Sequence, residues 1–91
     1  MKARIERFRA LVQQAMGPDY VGFTDQYDGI RRVGFATAEP DRGEDVKARY
    51  VDAICDASRE AGLHVSILPF ALDGKIVYEC AIRRALPTFE T

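Results

Sequence analysis

The order of local folding signals in this chain occurs twice, at a spacing of 45 residues. Lys2-Ala3-Arg4 falls on Lys47-Ala48-Arg49, Gly17 on Gly62, Asp28-Gly29 on Asp73-Gly74 and Ala36 on Ala81. Each match has a structural meaning. The basic cluster opens a helical stretch, the glycine ends it, and Asp-Gly stands between two strand-like runs as a hairpin signal. The alignment has one fault. Val21 and Phe23 fall on Ser66 and Leu68, whereas the inward candidates of that stretch are Val65 and Ile67. The repeated order therefore weighs more than the seven identities themselves.

In the first unit, Ile5, Phe8, Val12, Ala15 and Met16 recur at three- and four-residue spacing, with Leu11 at the edge. This predicts a helix over 2–16 with one apolar face. Gly17-Pro18 ends it, because glycine takes the left-handed cap conformation and proline cannot continue a helix. Tyr20–Thr24 reads as a strand, Asp25–Gly29 as a turn and Ile30–Thr37 as the returning strand. Val33, Phe35 and Thr37 share one side of that strand by period-two alternation.

The second unit opens after Pro40 and Gly43. Asp41 and Glu44 have capping-box spacing, and a helix is expected from there to about Ala61. Val46, Tyr50, Ala53, Ile54, Ala57 and Ala61 form its apolar arc, and Asp45 and Arg49 are spaced as an ion pair. Gly62 ends it. His64–Phe70 reads as a strand in which Pro69 marks an edge position or an early end. Asp73-Gly74 turns the chain into Lys75–Arg83, where Ile76, Tyr78, Cys80 and Ile82 alternate with Lys75, Val77, Glu79 and Arg83.

The expected fold is α+β: a tandem αββ-αββ arrangement, with a four-stranded, mainly antiparallel sheet and two helices packed on one face. The expected organisation is one domain over 1–91, with halves 1–38 and 43–86 and a short tail, 87–91. No apolar run approaches the ~20 residues that span a bilayer. Charges interrupt Met1 to Arg9, so no secretory signal core is read there. Two separated cysteines, Cys55 and Cys80, read as reduced thiols and point to the cytoplasm.

The net charge of −1 gives no general attraction to nucleic acid or membrane. Residues 1–38 carry six Lys/Arg against four Asp/Glu, and residues 39–91 carry seven against ten. Catalytic constellations are missing. Cys55 and Cys80 form no Cys-x-x-Cys pair, and nothing in the sequence orients His64 toward a thiol. No metal spacing occurs, the glycines make no phosphate loop, and Asp28 and Asp73 are accounted for by turn chemistry. No cofactor is expected.

If both helices cover one face of the sheet, the other faces solvent or a partner. Tyr20, Arg32, Leu68, Phe70, Val77 and Arg83 are expected there, mixing large apolar groups with arginine as association surfaces do. The competing expectation is a different register, with Leu68 and Phe70 in the core. Arg4 and Arg7 form a basic helix start, disfavoured by the helix dipole, that faces an acidic partner, solvent, or acidic groups of the second half. Arg83-Arg84, with Arg31-Arg32, offers a basic edge. The leading expectation is a non-catalytic protein-interaction module, a homodimer or small stoichiometric regulator or inhibitor of the phage or mobile-element type. Nucleic-acid binding through the arginines is the alternative. A small enzyme using His64 or a cysteine between the halves is the third.

Overall fold

The periodic apolar residues of the first segment form helix α1, Lys2–Met16. Phe8, Val12 and Met16 are buried on it, and Ile5 and Leu11 pack beside them. Ala15 departs from the sequence reading and is exposed. A short 3-10 turn, Gly17–Asp19, follows, with Pro18 near its start. Gly17 has a positive φ of 55°, the left-handed conformation expected of a helix-ending glycine. These features belong to a computed structural model of the protein, which describes residues 2–24, 32–40 and 49–85.

Four strands follow in two pairs: β1 (Tyr20–Thr24) with β2 (Arg32–Pro40), and β3 (Leu63–Leu72) with β4 (Lys75–Ala85). Helix α2, Val51–Glu60, lies between the pairs in sequence. All neighbouring strands are antiparallel, in the order β1-β2-β4-β3. The α+β class and antiparallel sheet are as expected. The strands are longer than the sequence reading: β2 continues past Thr37, β3 past Phe70 and β4 past Arg83. Pro69 does not end β3. It sits opposite Tyr78 in an edge strand, where a missing N–H is tolerated. Asp73 and Gly74, with φ of 52° and 76°, make the tight turn between β3 and β4.

The second helix is shorter than expected. Arg49 and Tyr50 lie in a turn, and Tyr50 caps α2 with φ −103° and ψ 7°. The cause is tertiary. The Tyr50 hydroxyl donates to Asp19, Arg49 pairs with Asp19 at 3.5 Å, and the Arg49 guanidinium stands 5.3 Å from the Tyr50 ring centre. Arg49 thus has an ion-pair partner in Asp19. Asp45 lies outside the described residues, as do Asp25–Arg31, the proposed capping box Asp41–Glu44, Val46 and the tail 87–91.

The core joins residues of both halves. Phe8, Val12 and Met16 of α1, Ile54 and Ala57 of α2, and Val33, Phe35, Ile76, Tyr78, Cys80 and Ile82 of the central strands make one cluster. Phe8 meets Phe35 edge-on with ring centres 5.6 Å apart, and Tyr50 meets Tyr78 similarly at 6.1 Å. Thr37 is buried in line with Val33 and Phe35, and its hydroxyl donates to the Ile76 carbonyl at 3.2 Å. Among the described residues, no helix is long and apolar enough to cross a membrane.

Candidate functional site

Alternate strand residues stay out of the core cluster, and the register places them side by side. Gly34 stands opposite Glu79, Ala36 opposite Val77 and Arg32 opposite Ala81 across the central β2–β4 pair. On the other flank of β4, Ser66 stands opposite Ala81, Leu68 opposite Glu79 and Phe70 opposite Val77. None of these residues belongs to the core cluster. Leu68 is 62% exposed and Leu72 53% exposed. Phe70 is half-buried. Val77 is nearly covered, at 9% exposure, between Ala36 and Phe70.

The polar residues of this side are tied to one another. Arg32 pairs with Glu79 at 3.5 Å, a contact between β2 and β4. The Arg83 Nε donates to the Ser66 hydroxyl at 2.9 Å. Arg32, Ser66, Leu68, Glu79, Ala81 and Arg83 line one open depression of about 250 Å³, joined at its edge by Ile67. Ala81 is its small central residue. A register shift in β4 follows: His64 opposes Arg84 while Val65 opposes Ile82, so Arg83 is the extra residue between them. Two consecutive arginines thus end the β4 side of the site, both exposed.

Arg32, Leu68, Phe70, Val77, Arg83 and Arg84 are therefore brought to one region. Tyr20 is not. Its ring packs against the core, 6.4 Å from that of Phe35. Tyr20 opposes Thr37 and Gly22 opposes Ala36, so Val21 is an extra residue that reverses the alternation of β1. Simple period-two reasoning misplaces Tyr20 for that reason. Arg4 and Arg7 are elsewhere, at the end of α2. Arg4 donates to the Gly62 carbonyl at 2.8 Å, and Arg7 pairs with Glu60 at 3.3 Å. Both contacts are made within the chain, and acidic Glu60 is the second-half group that Arg7 meets.

Ser66, Glu79, Ala81 and Leu72 join the region without having been singled out as site residues. Strand alternation assigns Glu79 to this side. Ser66 and Ala81 become conspicuous only once β3, β4 and β2 are set in register. Cys80 lies fully buried on the core side, and burial first, with smaller electrostatic contributions from neighbouring Cys55 and Glu79, pushes its thiol well above the usual range. That thiol stays protonated and makes a poor nucleophile. Among the described residues, no three His, Cys, Asp or Glu side chains gather as a metal site would require. No family model, curated protein or solved structure matches this chain.

Proposed function

We propose that the protein is a non-catalytic protein-interaction module that binds its partner through the sheet residues left out of the core. The scaffold behind this surface is read as two αββ halves about an approximate two-fold axis, with both helices over one face. The register supports it. Residues 45 apart, Gly34 and Glu79, face each other at the sheet centre. The pair Arg32–Ala81 becomes Ala36–Val77 under the same shift, and Val33–Cys80 becomes Phe35–Tyr78. Burial follows suit: Val12 and Ala57, Met16 and Ala61, Phe35 and Cys80 are all buried. The fault between the halves coincides with the extra residue Val21. Tyr20 matches Val65 at 45, and beyond Val21 Gly22 matches Ser66 at 44.

The observation that carries the functional reading is the apolar run on the side of β3 that faces away from the core cluster. Leu68 and Leu72, 62% and 53% exposed, flank Phe70, and Leu68 lines the same depression as Arg32 and Arg83. Mixed apolar and arginine surfaces are characteristic of protein association. The partner is either another protein, which would make this chain a stoichiometric regulator, or a second copy. The test compares the full-length chain with Leu68→Asp in affinity capture from the native host, alongside light scattering. A partner or a dimer that the wild type forms and Leu68→Asp loses, with both proteins folded, supports the reading. A monomer whose captured proteins are the same for both chains overturns it.

A further inference from the structure

We infer that the depression over Ala81 seats a carboxylate side chain of an acidic partner segment whose apolar residues lie along Leu68, Phe70 and Leu72; this rests on the interaction reading above. The site differs from its counterpart in the first half. Ala36 and Ala81 occupy equivalent places 45 residues apart, on either side of the central Gly34–Glu79 pair. Around Ala36 the neighbours at corresponding positions are Gly34, Ala38 and Val77. Around Ala81 they are Glu79, Arg83 and Arg32, with Ser66 across the strand. One scaffold position is thus apolar, and its counterpart is ringed with hydrogen-bonding groups.

The chemistry of that ring selects an anion. Arginine carries five N–H donors in a planar fork that matches a carboxylate. The Ser66 hydroxyl takes the Arg83 Nε, which fixes the guanidinium beside the depression. Arg32 is held on the opposite side by Glu79. Glu79 opposes an incoming anion, but the described charges of this side are Arg32, Lys75, Arg83 and Arg84 against Glu79 alone. Among the described residues this side is therefore positive, in a chain whose net charge is −1. Alanine as the central residue leaves room for a side chain to descend between the arginines. The apolar run begins beside it, because Leu68 both lines the depression and leads to Phe70 and Leu72. An extended segment carrying glutamate or aspartate next to aliphatic residues fits both features. A nucleic-acid strand meets the charge and leaves the aliphatic run unused.

Fluorescence anisotropy tests this with three probes on the full-length chain: a labelled peptide alternating glutamate and valine, its glutamine counterpart, and a labelled single-stranded oligonucleotide. The glutamate peptide binds, its affinity falls with salt, and the glutamine peptide binds about tenfold or more weakly, the range of one charge-assisted contact. Arg83→Ala weakens the glutamate peptide about tenfold, and Ala81→Leu, which fills the depression with charge unchanged, weakens it at least as much. Arg83 is exposed, so its variant folds, and a thermal melt checks the Ala81 variant. Equal binding of the two peptides overturns the carboxylate seat, as does failure of the glutamate peptide to bind, indifference to Arg83→Ala, or preference for the oligonucleotide. A partner that depends on Leu68 yet ignores Arg83 would leave the interaction module standing and remove this inference alone.

Discussion

Arg4, in the first turn of α1, donates a 2.8 Å hydrogen bond to the carbonyl oxygen of Gly62, the residue just past Ala61, the C-cap of α2. This explains a cation where the dipole of its own helix disfavours one. At the end of α2 the same charge meets the Gly62 carbonyl and the negative end of a dipole. The contact is tight. Gly62 has φ +77°, and a Cβ there would lie 3.1 Å from Arg4 Nη1. Arg4→Ala is expected to cost about 1–2 kcal/mol through the lost charged hydrogen bond and stem packing. Gly62→Ala costs about 1–3 kcal/mol from the positive φ alone, with the crowding added. In the Arg4→Ala background the crowding vanishes, so Gly62→Ala costs less there. Urea denaturation of the four proteins reads this coupling directly, and strict additivity would refute it.

Tyr50 and Asp19 join the ends of two elements far apart in sequence. The Tyr50 hydroxyl donates to the Asp19 carboxylate, while Arg49 approaches the same carboxylate at 3.5 Å. Tyr50 is 9% exposed and packs on Tyr78. Tyr50→Phe keeps the ring packing and removes one charged hydrogen bond, so a loss of about 1–2 kcal/mol is expected. Asp19→Asn in the Tyr50→Phe protein should cost less than in the wild type. A double-mutant cycle with a coupling below about 0.5 kcal/mol would show that the two residues are merely adjacent.

Cys80 makes stability depend on alkaline pH. Its thiol is fully buried, and burial raises its pKa above that of the unfolded chain. Below the ordinary thiol pKa, about 8.5, both states hold the proton and the group contributes no pH dependence. Above it the unfolded chain releases the proton and the folded chain keeps it. Stability then falls with rising pH by up to ~1.4 kcal/mol per unit. Cys80→Ala should flatten that limb of the pH profile while lowering stability at neutral pH, through the cavity it leaves. Thiol labelling gives an independent reading. Cys55, half-buried, is modified in the native protein, and Cys80 only on unfolding.

Much of this was legible in the residues. Helix α1, both helix-ending glycines, the Asp73-Gly74 turn and the inward set Ile76, Tyr78, Cys80 and Ile82 follow from local periodicity and turn chemistry. The misreadings came where one extra residue or one distant contact decides. Val21 reverses the alternation of β1 and carries Tyr20 to the core. Asp19, thirty-one positions before Tyr50, holds residues 49 and 50 in a turn where helical spacing predicted more helix. The depression over Ala81 needs three strands in register, with Arg32, Ser66 and Arg83 drawn from each. Alternation within one strand supplies none of that information.

Neighbouring residues Ile67 and Leu68 offer the sharpest test of which side of β3 is which. Ile67 packs against the core and stands opposite Cys80, whereas Leu68 is 62% exposed opposite Glu79. Ile67→Ala should cost about 2 kcal/mol, because it removes methylenes from a packed environment. Leu68→Ala should change stability by less than about 0.5 kcal/mol, since its side chain already stands in water. The same Leu68 variant should bind less of a dye sensitive to exposed apolar surface and show less self-association in sedimentation. Equal costs for the two substitutions in urea denaturation would mean that Leu68 is core, and the apolar run of β3 would then have no surface to offer.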